Sequence, residues 1–252
     1  MMLQKYDYEA GARSYARVRE ADPRIAAFVH AELGSARTVL NVGAGAGSYE
    51  PMDRAVVAVE PSAAMRARRR GGVPPVLGAS AEALPFGDGV FDASMALLTI
   101  HHWPDLPRGL RELRRVTRGP VVVLTFDPDA PTDFWLADYV PEMVEVERRR
   151  YPALSRVSGA LGGVCEVVPI PVPRDCSDRF QVALYARPEE FLDAEVRDCQ
   201  SAWSSLPAGV EERAVAALAA DLASGAWDAR YGHLRSQPTL RCQLRVVIGR
   251  PA

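Results

Sequence analysis

Three glycines at alternate positions, Gly43, Gly45 and Gly47, follow the apolar run Val39-Leu40-Asn41-Val42. Residues without a Cβ let the backbone turn sharply and come close to a ligand. The segment therefore reads as a loop on the end of a buried strand, shaped for a nucleotide-like group. Its spacing is G-x-G-x-G, and Ser48 stands where a dinucleotide fingerprint needs its third glycine. This points away from NAD and toward another nucleoside cofactor. One strand further on, Ala55–Glu60 ends in an acid, the residue type that accepts hydrogen bonds from a ribose diol at the carboxyl edge of a doubly wound sheet. The alternative for Glu60 is a surface carboxylate favoured by the helix N-terminus that follows it. His101 and His102 are adjacent at the end of a later apolar run and are candidates for proton transfer. Lys5 is the only lysine, so neither a phosphate-binding P-loop lysine nor a Schiff-base lysine is on offer within the motifs.

These residues need a scaffold, and the first half of the chain supplies its rhythm. Helix signals cover Asp22–Leu33, stopped by Gly34, and strand signals cover Thr38–Val42 and Ala55–Glu60. Pro61 and Ser62 open a helix through Arg70, ended by Gly71-Gly72. Val73–Leu77 and Phe91–Leu98 read as strands, Pro104–Thr117 as an amphipathic helix and Pro120–Phe126 as a fifth strand. Alternating strands and helices imply a mostly parallel sheet covered on both faces. Later, Phe134–Arg150, Pro188–Gln200 and Pro207–Ser224 look helical, while Val164–Ile170 and Leu240–Gly249 complete seven strands. The expected fold is α/β, a doubly wound Rossmann-like seven-stranded sheet with a helical lid or insertion. A single domain over 1–252 is expected, with the core at about 1–126 plus the two late strands and lid segments at about 127–163 and 174–239. Arg66–Arg70 reads first as a solvated helix face and second as a contact for a phosphate or acidic partner.

Composition sets the class. At 252 residues and 48% hydrophobic, the chain can bury a sizeable core. A formal charge of -2 argues against a nucleic-acid surface. No secretory signal and no apolar run of membrane-spanning length is visible, and the four scattered cysteines, Cys165, Cys176, Cys199 and Cys242, suit reduced thiols. A cytoplasmic protein without membrane or nucleic-acid partners is expected.

Ser80-Ala81-Glu82, Leu84-Pro85-Phe86 and Phe91-Asp92 follow in order. With the glycine loop and Glu60, these motifs resemble the class I S-adenosylmethionine-dependent methyltransferases, in the branch acting on small molecules. The resemblance covers residues 1 to about 126. It implies S-adenosylmethionine as cofactor, with Gly43, Ala44, Gly45 and Gly47 around its methionine and ribose portions. Glu60 would hold the ribose hydroxyls, Pro61, Ser62 and Met65 would line the adenine side, and Ala81 and Leu97 would lie beside and beneath the cofactor. Tyr6-Asp7, Tyr15 and Arg19 are similar to the family's opening helix, where Tyr15 and Arg19 would approach the methionine carboxylate. Two positions depart from the pattern: Asn41 stands for the usual strand-ending aspartate, and Ser80 for the acid facing the adenine amino group, with Glu82 a possible substitute.

Methyl transfer is an in-line displacement in which alignment supplies about 7–11 kcal/mol of the barrier, and a base at His101 or His102 is needed only for an acceptor that must lose a proton. Their adjacency without further ligands implies no metal site. Phe134, Trp135, Tyr139, Tyr185, Trp203, Trp227, Tyr231 and His233 belong to the later half; such residues more often form a local core than a pocket wall, but as an apolar lid they would suit a lipophilic or aromatic small-molecule acceptor. The oligomeric state, monomer or homodimer, is not legible. The competing readings are a non-catalytic S-adenosylmethionine-binding protein and an NAD(P)-dependent oxidoreductase.

Overall fold

Short apolar runs, most of them rich in valine, become the strands of one seven-stranded sheet. A computed structural model describes residues 19–69, 74–130 and 134–251. The strands are β1 (Thr38–Val42), β2 (Ala55–Val59), β3 (Val76–Leu77), β4 (Ala93–Leu97), β5 (Val121–Phe126), β6 (Val164–Pro173) and β7 (Thr239–Arg250). Their order is β3-β2-β1-β4-β5-β7-β6. β1 pairs in parallel with β2 on one side and β4 on the other, so the winding reverses between β1 and β4. The crevice beyond the carboxyl ends of strands at such a reversal is where doubly wound sheets bind ligands. β5 also pairs in parallel with β4, whereas β7 runs antiparallel to β5.

The chain divides into two compact units. The larger, 21–128, 151–170 and 244–252, holds the sheet. Here helix α1 (Pro23–Glu32) is capped by Asp22, whose carboxylate accepts from Arg24 N, and buries Ile25 and Val29. Helix α2 (Ala63–Arg66) is capped by Ser62, and helix α3 (Leu106–Val116) by Asp105. α3 turns Leu106, Leu110, Leu113 and Val116 inward at helical spacing. They pack with Val157 and Leu161 of the helix Leu154–Leu161, and with Leu40, Val42, Ala96, Val121, Val123 and Val247 from the sheet. Each such fully buried side chain contributes about 1.5–3 kcal/mol.

Two local expectations change, in the helix opened by Ser62 and in the third strand. The helix opened by Ser62 ends at Arg66, and residues 70–73 lie outside those described. The third strand keeps only Val76–Leu77, because Pro74 and Pro75 have no N–H to give a ladder. The crossover from β1 to β2, Gly43–Arg54, folds as successive turns and carries no helix.

The second unit comprises 1–20, 129–150 and 171–243. The expected helix over 134–150 is two, Leu136–Tyr139 and Pro141–Arg150, since the residue before a proline is pushed away from helical geometry. The expected helix over 188–200 is a 3-10 turn, Pro188–Leu192, then an α-helix, Ala194–Asp198. Trp135, Tyr139, Tyr185, Phe191, Trp203 and Trp227 form this unit's own core. Trp135 meets Trp227 edge-on at 5.4 Å and Phe191 at 5.5 Å, and its Nε1 donates to Tyr185 O at 2.8 Å. Most of the aromatic residues read as a substrate-facing lid therefore serve a structural core. Among the described residues, no helix is long and apolar enough to cross a membrane.

Candidate functional site

The glycine loop begins by zipping onto β2: Gly43 N and Ala44 N both donate to Val59 O, at 2.8 and 3.0 Å. Gly43 sits at φ +70°, and a Cβ on it would lie 2.1 Å from Thr99 Oγ1. The loop from β1 is thus pressed against the turn that leaves β4, a closeness only glycine allows. Glu60, directly after β2 and 7% exposed, ties loop to turn. Its Oε2 accepts from Gly45 N at 2.9 Å and its Oε1 from Ser62 N at 2.8 Å. Each carboxylate oxygen has two acceptor positions, so Glu60 keeps capacity for a vicinal diol. Met65 is buried, with its Cε 3.3 Å from where a Gly45 Cβ would stand. Gly45, Glu60, Ser62 and Met65 are thereby brought together.

At the carboxyl end of β4, Leu97 is followed by Leu98 at φ +53°. A non-glycine residue in that region costs of order 1–3 kcal/mol and persists where the surroundings enforce it; here Leu98 N donates to Leu124 O at 2.8 Å. The turn swings Thr99 and the 3-10 segment Ile100–His102 across the sheet edge. The His101 and His102 rings lie 3.9 Å apart. His101 is 4.6 Å from the ring of Tyr151, which meets Phe126, the last residue of β5, at 5.1 Å. Tyr151 and Thr99 carry no sequence signal that assigns them here, because their neighbours are distant in the chain.

The L-P-F and F-D segments turn out to hold the fold. Arg115 donates to Leu84 O and Phe86 O, and Glu112 accepts from Leu84 N. Phe86 packs edge-on against Phe91 at 4.9 Å. Asp92 accepts from the N–H groups of Arg37 and Thr38 at the start of β1, and from Arg118. Hydrogen bonds from Arg118, then from Thr38 and Arg37, hold the Asp92 carboxyl well below the usual carboxylate range.

Other site residues have partners that the sequence did not suggest. Asn41 is buried, and its amide donates to Glu50 Oε1 at 2.9 Å; it acts as a donor and does not replace an acid as an acceptor. Ser80 Oγ bonds the Glu82 carboxylate, which also accepts from Asp105 N at 3.2 Å, so both are engaged with each other and the start of α3. Ala81 is buried beside Gly109 and Trp103, and Pro61 is exposed. The solvated reading of Arg66–Arg70 is corrected by two of its members. Arg66 donates to Glu60 O and Pro61 O, and Arg69 is buried against Glu50. Arg19 belongs to the second unit, where its Nε donates to the buried carboxylate of Asp178 at 2.5 Å. Tyr6, Asp7 and Tyr15 lie outside the described residues.

Residues 40–125 match the model of a methyltransferase domain. A crystal structure of a protein of Anabaena variabilis ATCC 29413, described as a methyltransferase from an antibiotic biosynthesis pathway, is similar at 29% identity and TM-score 0.85. The match covers 92% of this chain and 99% of that one. Malonyl-acyl-carrier-protein O-methyltransferases are similar over shorter spans. That of Halorhodospira halophila is 32% identical over 48% of this chain and 47% of its own. That of Erwinia pyrifoliae is 39% identical over 35% and 36%. The chain thus matches about a third to a half of the length of these curated relatives. With the sheet order and motifs described, residues 40–125 carry a methyltransferase domain, and the chain is similar over nearly its whole length to a protein described as a methyltransferase. The methyltransferase-domain match favours S-adenosylmethionine over a nicotinamide cofactor.

Proposed function

We propose that the chain transfers a methyl group from S-adenosylmethionine to a small acceptor, and that the acceptor is lipophilic or aromatic. The observation that carries this reading is Glu60, whose carboxylate binds the N–H of Gly45 and of Ser62 while keeping acceptor capacity for a ribose diol. Gly43, Ala44, Gly45 and Gly47 cradle the methionine and ribose portions, and Pro61, Ser62 and Met65 line the adenine side, with Ser80, Ala81, Glu82 and Leu97 around it. The bound sulfonium supplies an activated methyl group with its leaving group built in. The chain's own task is alignment and exclusion of water. Thr99, His101 and His102 follow the carboxyl end of β4, where the methyl group is expected. His101 or His102 takes the acceptor's proton where one must leave. The rings of His101, His102, Tyr151 and Phe126 at this edge favour a flat or apolar acceptor.

The test is release of S-adenosylhomocysteine when the protein is given S-adenosylmethionine and fractionated small-molecule pools. Release that depends on one fraction, and is lost in Gly45→Val and Glu60→Ala, supports the reading. A protein that binds the cofactor yet turns over nothing in any fraction supports the non-catalytic alternative instead.

A further inference from the structure

Beneath the glycine loop lies a buried polar cluster drawn from three distant points of the chain. Asn41 Nδ2, on β1, donates to Glu50 Oε1 at 2.9 Å. Arg69 Nη2, beyond α2, donates to both Glu50 oxygens at 2.9 and 2.7 Å. The side chains of this ion pair are 4% and 1% exposed. The same guanidinium reaches Gly45 O at 3.4 Å and Pro74 O at 3.1 Å. A Cβ on Gly47 would stand 3.1 Å from Glu50 Oε2 and 3.3 Å from Arg69 Nη1, at a backbone φ of +96°. The cluster therefore touches the loop from below at Gly45 and Gly47, the positions flanking the backbone that meets the cofactor.

We propose that Asn41, Glu50 and Arg69 are positioning residues for the cofactor loop, and that residue 41 is an amide because the loop's acid is Glu50. This rests on the reading that the loop takes S-adenosylmethionine. The crossover Gly43–Arg54 has no helix to hold it, so no repeating backbone ladder fixes its path. A buried carboxylate held by a guanidinium and an amide does so instead, because removing any one partner strands a charge or donor away from water. An amide at 41 donates; an aspartate there accepts only. Aspartate would set two carboxylates at hydrogen-bond distance from each other, where one must bind a proton or move away. The segment free to move is the loop, and with it the Gly45 N–H that Glu60 holds. The strand-ending acid common in this family is thus expected to harm this chain.

The test measures S-adenosylhomocysteine affinity by calorimetry for the whole protein, well below the unfolding temperature of each variant. Asn41→Asp is expected to weaken binding about tenfold or more. The double variant Asn41→Asp, Glu50→Gln reverses donor and acceptor between 41 and 50, keeps one negative charge in the cluster and leaves Arg69 one oxygen of residue 50, so it is expected to recover at least about threefold of the affinity that Asn41→Asp loses. A merely structural role would lower the unfolding temperature without this swap-dependent recovery of affinity. Wild-type binding with equal or tighter binding by Asn41→Asp overturns the inference alone. So does a folded double variant that fails to recover. If Asn41→Asp does not fold, Arg69→Lys decides, since a single ammonium cannot span Glu50, Gly45 and Pro74 together; unchanged affinity there overturns the inference. A wild-type chain that does not bind at all takes down the cofactor reading, and this inference with it.

Discussion

Replacing Gly43 by alanine tests whether the glycine loop is pressed against the end of β4 as tightly as described. The added Cβ would stand 2.1 Å from Thr99 Oγ1, 2.7 Å from Cγ2 and 2.8 Å from Cβ. No rotation of Thr99 relieves this, because its own Cβ is among the atoms met, so the backbone of one segment must shift. Such overpacking costs about 1–3 kcal/mol. The left-handed backbone, φ +70°, adds about 1–2 kcal/mol for any residue with a Cβ. The expected loss is about 2–5 kcal/mol in urea unfolding followed by circular dichroism. Thr99→Gly removes all three atoms, so adding it to Gly43→Ala should return the overpacking share and leave the backbone share. Thr99→Ala keeps the Cβ contact and should return less. The cycle is completed with Thr99→Gly alone, whose own entropy cost must be subtracted. A Gly43→Ala protein within about 0.5 kcal/mol of wild type, or a cycle with no coupling between the two sites, would refute the reasoning.

Two further expectations concern pH. Asp92 has a folded pKa below its ordinary value, so it contributes stability above the usual carboxylate range that is lost as pH falls. Asp92→Asn should lower the urea midpoint at pH 7 and flatten its decline between about pH 4 and pH 2; a parallel decline in both proteins would contradict this. Glu147 has the opposite sign: burial pushes its carboxyl up to about 7, against the pull of Arg150. The folded state then holds a proton that the unfolded chain loses earlier, so stability falls as pH rises from about 4.5 to about 7. Glu147→Gln should remove that fall and be more stable than wild type at pH 8, as read by urea midpoints across the range.

Local periodicity made the sheet legible. β1, β4, α3 and β5 lie within one or two residues of their expected bounds, because short apolar runs and a helix with Leu at i, i+4 and i+7 state their burial directly. Glu60 could be singled out because it stands at a strand end at a fixed remove from the glycines. What could not be read is set by partners far apart in sequence. Arg69 looks like one of a run of exposed arginines until Glu50 and the Gly45 carbonyl neutralise it. Asn41 looks like a weakened acid until Glu50 turns out to be its acceptor. The helix Leu154–Leu161 gave no expectation, yet its Val157 and Leu161 complete the core against α3. For the aromatic residues of the later half, composition left a local core and a pocket wall both open; their edge-on packing around Trp135 makes most of them a core.

The central claim is that Glu60 joins the glycine loop to a ribose diol. Its most direct measurement is calorimetric titration of the wild-type protein and Glu60→Gln with S-adenosylhomocysteine, with NADH as the comparison ligand. The account predicts one site in the wild type and none for NADH. The amide loses charge-assisted hydrogen bonds worth about 1.5–3 kcal/mol each, so Glu60→Gln should bind roughly thirtyfold more weakly or worse. Equal affinity in the two proteins, or a wild type that takes NADH and not S-adenosylhomocysteine, would contradict it.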